Sequence, residues 1–547
     1  MIEQDRADGR GATSGAATPR PLPAWLAIAL VTSTSAAVLV LEILAGRLLA
    51  PYVGVSLETF TVIIGTILAG IAFGAWAGGV AADHVDPRRL IPILLVVGGA
   101  LAIATIPIVR VLGSGSGTGA GPRILVLTAF GFLPSATVLS AVPPAVVKLQ
   151  LLDLATTGST VGRLSAWGTA GALFGTFFTG YVLVAAAAVT TLIVTVGILL
   201  VASGLVLWAT TRAGARGRGR DGVADPDGGA PDATSEPREL LAATGLAVVA
   251  LLGAVGIDSP CEVQTAYYCA AVLQDPENES GRTLLLDDLR HSYVDLDDPA
   301  VLEFWYIRRL VDAIDVAVDG ADTPIDALYL GGGAFTVPRQ VRATRPGSDQ
   351  TILEIDGDLV DLVEERIDFE RGDDVEIVVG DGRLAMDDRS DDSADVVIGD
   401  AFGSRAVPFH LATEEFLREI DRVLRPDGVY AANVIDGSAE AFLRAEAATA
   451  AAVFDHVVVV RGPGIVAGRS GNSVIVASPS PIDVGALERR LVADVDPSDD
   501  PGEADGRTTA ERVGEIVAGP DLEPYLGGAE VITDDHAPVD QLIARSR

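Results

Sequence analysis

Apolar runs long enough to cross a bilayer recur through the first half of the chain, and nothing else in the sequence constrains its fold as strongly. About twenty apolar residues cross the hydrocarbon core as a helix. Such runs lie near residues 24–46, 57–81, 90–112, 123–147, 164–186, 188–210 and 240–257. The last is close to the lower length limit for a span. The fourth contains Pro134, Pro143 and Pro144, which predicts a kinked or broken helix. Glycines crowd the second run (Gly65, Gly70, Gly74, Gly78 and Gly79), and small residues let helices approach closely in lipid. The expectation is an α-helical transmembrane bundle of about seven helices, over 23–211 and 239–257, with the lipid bilayer as its partner.

The second half is a different polymer. Formal net charge is −35 although mean hydropathy is +0.39, a pairing that one folding unit rarely carries. Residues 1–257 hold 15 Lys and Arg against 14 Asp and Glu, whereas 258–547 hold 24 against 60. Lys148 is the sole lysine. A carboxylate-rich surface of this kind stays soluble where salt screens its self-repulsion, the composition of a halophile, and it repels the phosphates of nucleic acid. Residues 1–22 are polar, with Arg6, Arg10 and Arg20, and read as a disordered tail without the pattern of a signal peptide. Residues 212–238, basic then acidic and rich in Gly and Pro, read as a flexible linker.

Basic residues orient the bundle. With the N-terminus inside, the inner segments hold twelve Arg and Lys and the outer ones only Arg47, Arg110 and Arg123. The N-terminus is therefore expected in the cytoplasm, and seven crossings would place the acidic domain outside. Asn278-Glu279-Ser280 is a glycosylation sequon, usable only on that side. Glu42 lies inside the first run, where a carboxylate is costly and should face the bundle or a water-filled cavity. Pairing with Arg47 near the helix end is favoured slightly over a place on a substrate or proton path. Cys261 and Cys269 form no metal-binding pattern, and two half-buried thiols are expected; a disulfide between them would need a sharp bend, since an extended strand would hold them too far apart.

In the acidic half, 262–273 and 282–294 alternate like strands around a turn at 274–281, a small β unit over 258–297. A helix over 298–317 is expected from its Asp-Pro start. Beyond it, strands near 326–331, 351–355, 375–379, 395–400, 428–434, 456–461 and 472–477 alternate with helices, predicting a doubly wound, mostly parallel sheet over 298–547. The first of these strands runs into Gly331-Gly332-Gly333, the second into Glu354, the third into Asp381 and the fourth into Asp400. Ligands bind at the carboxyl ends of such strands, where glycines admit a ligand to the backbone and an acidic residue about twenty positions on suits ribose hydroxyls. Singly, Glu354 or Asp400 could be a helix cap; together the four sites point to nucleoside binding.

These residues resemble the spermidine synthase family of polyamine aminopropyltransferases, kin of methyltransferases with a Rossmann-like fold. The resemblance covers roughly 261–440. It includes Thr265-Ala266-Tyr267-Tyr268, Gly281 to Asp287, Glu303-Phe304-Trp305-Tyr306, the glycine turn, Glu354, Gly380-Asp381-Gly382 and Asp400. The segment around Glu42 and Arg47 to Gly54, and the closing Thr533 to Pro538, look like the fused transporter-like membrane proteins of this family, of haloarchaeal kind. The resemblance implies a co-substrate, S-adenosylmethionine or its decarboxylated form, and no metal. It implies that Glu354 holds the ribose, Asp381 the adenine amino group, and Gly331, Gly332 and Gly333 the passing side chain. Asp400 would orient and deprotonate the attacking amine, with Tyr267 and Tyr306 on the substrate. The chain departs from the family at Ala334, Gly403, Ile307, Leu302 and Tyr268, so the nucleoside side is better kept than the polyamine side. Methyl transfer and a polyamine transporter with a nucleoside-sensing domain are the other readings, and the oligomeric state is open. Sulfonium nucleosides are made in the cytoplasm, so the binding set predicts a cytoplasmic active domain, against the crossing count.

Overall fold

The computed structural model describes residues 22–546 except 56, 115–119, 152–155, 222–235, 319, 321, 404–406 and 494–507. The predicted tail at 1–21 and the linker core at 222–235 lie outside the described residues. The chain divides into two compact units, Met1–Leu48 with Thr61–Asp258, and Leu49–Phe60 with Ser259–Arg547.

The first unit is helical. Its helices are α1 (Ala24–Val53), α2 (Leu57–His84), α3 (Pro87–Gly113), α4 (Ala120–Gly131), α5 (Leu133–Ser140), α6 (Val142–Gln150), α7 (Thr157–Phe178), α8 (Val189–Asp221) and α9 (Glu236–Gly256). Among the described residues, six stretches are long and apolar enough to cross a membrane, and a seventh exists if Pro122–Gly131 and Leu133–Gln150, bent by 41°, are one span. The breaks in that stretch fall at Phe132 and Ala141, each two residues before a proline, because a proline lacks the N–H and the room that a continuing helix needs. Close packing follows the glycines: a Cβ on Gly74 would lie 2.1 Å from the Thr137 carbonyl oxygen, and one on Gly78 2.5 Å from Ala141 Cα. One expectation changes. The segment 212–221 continues α8 as helix rather than starting a linker. For Glu42, Oε2 is buried with no hydrogen-bond partner among the described residues.

The second unit carries two sheets. Strands β1 (Val263–Gln264), β2 (Cys269–Gln274), β3 (Gly281–Leu286) and β4 (Leu289–Asp295) form an antiparallel sheet in sequence order. The larger sheet contains β5 (Asp326–Leu330), β6 (Asp349–Glu354), β7 (Val375–Val379), β8 (Ala394–Gly399), β9 (Leu424–Asp436), β10 (His456–Arg461), β11 (Gly471–Ser478) and β12 (Glu515–Ala518). Its order is β12-β10-β11-β9-β8-β5-β6-β7, with β5 to β9 parallel and β10, β11 and β12 antiparallel. The central strands are apolar on both faces, as a sheet covered on two sides requires. Tyr329 of β5 packs with Leu310, Val341 and Val363 on one face, while Leu328 and Leu330 pack with Phe416, Leu417 and Phe442 on the other. The fold is thus a doubly wound, Rossmann-like sheet whose strand order reverses between β5 and β8, the position where such sheets open a ligand crevice.

Two expectations are corrected here. The helix expected from residue 298 begins at Trp305. Asp298 instead forms a turn, its carboxylate accepting from Ala300 N and its carbonyl from Val301 N. Cys261 and Cys269 are bonded, with Cα atoms 5.1 Å apart. The β1–β2 hairpin supplies the bend, pairing Gln264 with Cys269. Asn278 of the sequon donates its side-chain amide to Asp295 at 2.7 Å and to the Tyr293 hydroxyl at 3.2 Å, tying the turn before β3 to β4.

Candidate nucleoside and acceptor site

The glycine turn after β5 is built for close approach. Gly331 has φ of +91° and Gly333 of +51°, the left-handed region that favours glycine. A Cβ on Gly331 would meet the Asp400 carbonyl oxygen at 2.7 Å, so the strand ends of β5 and β8 can lie side by side only without one. Glu354, at the end of β6, is buried and ties the turn down: Oε2 accepts from Gly332 N at 2.7 Å and Oε1 from Asp356 N at 3.0 Å. Burial raises its pKa above the usual carboxylate value, partly offset by those two backbone bonds. Asp381 caps the short helix Gly382–Met386, accepting from Arg383 N and Leu384 N, and its other oxygen meets His410 Nε2 at 3.0 Å.

Asp400 follows β8 at the switch point. Asn433 Nδ2 donates to its Oδ1 at 2.8 Å, and the Tyr306 hydroxyl lies 3.4 Å from Oδ2. Burial pushes its carboxyl up to about 7, against the lowering pull of Asn433 and Tyr306. It is therefore poised to gain or lose a proton near neutral pH, as a general base must. Tyr306 is raised well above its ordinary value, first by burial and then by the Asp400 charge.

Two cavities meet at Asp400. One, of about 290 Å³, is lined by Tyr267, Gly331, Gly333, Glu354, Asp381 and Asp400, together with apolar Leu353, Ile355 and Phe402. The other, of about 550 Å³, is lined by Tyr306 and Asp400 with Phe304, Trp305, Asn433 and Asn472. Of the residues to which the resemblance gives a binding or catalytic role, Gly332 alone lines neither cavity; its N–H donates to Glu354. Carboxylates at one end, apolar walls along the middle and a positive-φ glycine turn fit a nucleoside carrying a sulfur side chain. Among the described residues no group of His, Cys, Asp and Glu could hold a metal ion.

Several site residues escaped the sequence reading. His291 lines both cavities, and burial drops its imidazole to about 4, so it stays neutral. Tyr268, which the sequence marks only as a departure from the family, donates its hydroxyl to the Phe402 carbonyl at 2.6 Å, tying the disulfide hairpin to the cavity wall. His410 holds Asp381, and Asn433 holds Asp400. Asn433 had a signal: it is a lone amide in the apolar run of β9, and a buried polar group needs a partner. His291 and His410 had none, because only folding brings them to the strand ends.

No family model matches this chain. Over 160 residues it is 30% identical to a "Probable polyamine aminopropyl transferase" of Bifidobacterium longum, covering 29% of this chain and 34% of that one. Over 162 residues it is 32% identical to a polyamine aminopropyltransferase of Pyrobaculum aerophilum, covering 28% of this chain and 52% of the relative. The chain spans between 34% and 60% of the length of these and similar curated relatives. Among solved structures it is similar to a "probable spermidine synthase" from Corynebacterium glutamicum, with 27% identity and a TM-score of 0.42, over 49% of this chain and 94% of that one. The curated relatives support kinship of the soluble half with the polyamine aminopropyltransferases, at low identity and over part of its length.

Proposed function

We propose that this chain is a membrane-bound, spermidine-synthase-like transferase that binds S-adenosylmethionine, in its decarboxylated form, and passes an aminopropyl group to a polyamine. The observation that carries the reading is Asp400, one carboxyl on the wall of both cavities with its pKa near neutrality. The names of the curated relatives favour the same chemistry. Glu354 would accept from the ribose hydroxyls and Asp381 from the adenine amino group, while the glycine turn leaves room for the sulfur side chain. The bound nucleoside supplies an electrophilic methylene carbon beside a sulfonium and a neutral thioether to leave. Asp400 orients the amine so that its lone pair lies in line with that carbon, and takes the proton released when the C–N bond forms. Tyr306 and Asn433 fix the carboxyl.

The test is turnover by the full chain in detergent and high salt, with each nucleoside form and an amine panel. Transfer with the decarboxylated form, and its loss by about 10²–10⁴-fold in Asp400→Asn with nucleoside affinity largely intact, is the expected result. Full activity in that variant would sink the assignment of Asp400. Turnover only with the carboxylated form would point to methyl transfer.

A further inference from the structure

The closing segment 533–538 has no part in the chemistry above, yet its bonds lead to the nucleoside cavity. Thr533 and His536 bond each other in both directions, N–H to carbonyl at 3.1 and 2.9 Å, in a tight turn around Asp534. Asp534 N donates to Glu415 Oε2 at 3.0 Å, and Glu414 N to the Ile532 carbonyl at 2.8 Å, so the turn is pinned to the start of the helix Glu414–Val423. The Asp534 carboxylate accepts from Arg383 Nη1 and Nη2 at 2.7 and 2.6 Å, and from the hydroxyl of the fully buried Thr413 at 2.8 Å. An isolated surface ion pair contributes little, but a two-pronged arginine–carboxylate pair inside a network holds its geometry.

Arg383 touches both members of a bonded pair on the cavity wall. Its backbone N–H donates to Asp381 Oδ1 at 3.0 Å, beside Leu384 N at 3.1 Å, and its guanidinium donates to the His410 carbonyl at 3.0 Å. His410 Nε2 meets Asp381 Oδ2 at 3.0 Å, and both residues line the nucleoside cavity. A carboxylate only accepts, so Nε2 carries the hydrogen. Oδ1 then has both lone pairs engaged by backbone N–H groups, Oδ2 has one left, and the carboxylate cannot turn without breaking the His410 bond. A 6-amino purine offers that lone pair an N–H. A 6-oxo purine brings a second oxygen against it, and a site built to accept from an amino group rejects the analogue that lacks one. We propose that Asp534, Arg383 and His410 are positioning residues of the nucleoside site: together they leave Asp381 one acceptor lone pair for the base, and so select a 6-amino over a 6-oxo purine nucleoside. This deepens the proposed function, and rests on it for the place of the base at Asp381.

Calorimetric titration of the full chain in detergent and high salt compares methylthioadenosine with methylthioinosine, whose purine carries an oxygen in place of the 6-amino group. The unaltered protein is expected to prefer the amino form by at least about tenfold. His410→Leu and Asp534→Ala are each expected to weaken binding of the amino form by about three- to tenfold and to shrink the preference. His410→Gln, which keeps an N–H donor at similar reach, is expected to retain most of it. General loosening of the fold would lower Tm and weaken both nucleosides alike, so the ratio separates positioning from stability. Arg383→Gln carries the same expectation should Asp534→Ala fail to fold. An unchanged preference in folded Asp534→Ala and His410→Leu overturns the proposal, as does equal loss in His410→Gln and His410→Leu. The underlying reading fails in a different way: no binding of either nucleoside by the unaltered protein, or unaltered binding of both by Asp381→Asn, refutes the place of the base itself.

Discussion

At the scale of single residues, Asp400 makes the most direct prediction. Its carboxyl is held up to about 7, chiefly by burial. The unprotonated form is the one able to take a proton from the amine, so turnover should rise through a step near pH 7. The step should vanish in Asp400→Asn, whatever residual rate remains, and a pH profile of kcat for both proteins checks it. A profile with the same step in both would assign the titration elsewhere. His291 is a poor alternative source, because burial drops its imidazole to about 4 and it carries no charge to lose at neutral pH.

Elements carry two more expectations. The Cys261–Cys269 bond closes the hairpin that bears Tyr267 and Tyr268, both on the wall of the nucleoside cavity. Loop-closure entropy for so short a loop is worth about 2 kcal/mol. Reduction, or the double change to serine, should lower Tm and weaken nucleoside binding together. A fall in Tm with unchanged affinity would separate the hairpin from the site. The second concerns the helix Ala441–Val453, where Glu446 is buried and its Oε2 has no hydrogen-bond partner among the described residues. Burial pushes its carboxyl up to about 8 from 4.5. The folded state then holds a proton that the unfolded chain has already lost, so stability falls as pH rises between those values, by up to about 1.4 kcal/mol per pH unit. Glu446→Gln should remove that part of the decline, which thermal melts between pH 5 and 9 would show. Parallel declines in both proteins would mean that other carboxyls, Asp400 among them, dominate.

At the scale of the whole molecule, the parity of the crossings decides where the chemistry happens. Six spans return the chain to the side of its N-terminus, and seven, with the bent stretch counted as one, leave it on the other. Disulfides persist in oxidising compartments, so the Cys261–Cys269 bond joins the distribution of arginines in favouring seven. Reporter fusions at the two termini should therefore report opposite sides, and sealed cells should turn over nucleoside added outside. Termini on one side, with turnover only after permeabilisation, would restore the cytoplasmic placement that nucleoside supply suggests.

The sequence by itself determined the division of labour. Run length and charge separate a helical half from an acidic α/β half, because long apolar helices and a carboxylate-rich surface suit opposite surroundings. Periodicity placed β5 to β11 close to their observed bounds, since strands covered on both faces are apolar throughout. The ends of β5, β6 and β8 were legible as a site because a doubly wound sheet presents those ends to its ligands. Tertiary structure decided what local pattern does not encode. It paired Cys261 with Cys269 through a hairpin, turned Asp298 away from a helix, and set β12 on the sheet edge. It also brought Asn433, His291 and His410 to the strand ends from distant parts of the chain. Those contacts depend on which strands become neighbours, and the pKa of Asp400 depends on them in turn, because burial is a property of the packed molecule rather than of any residue within it.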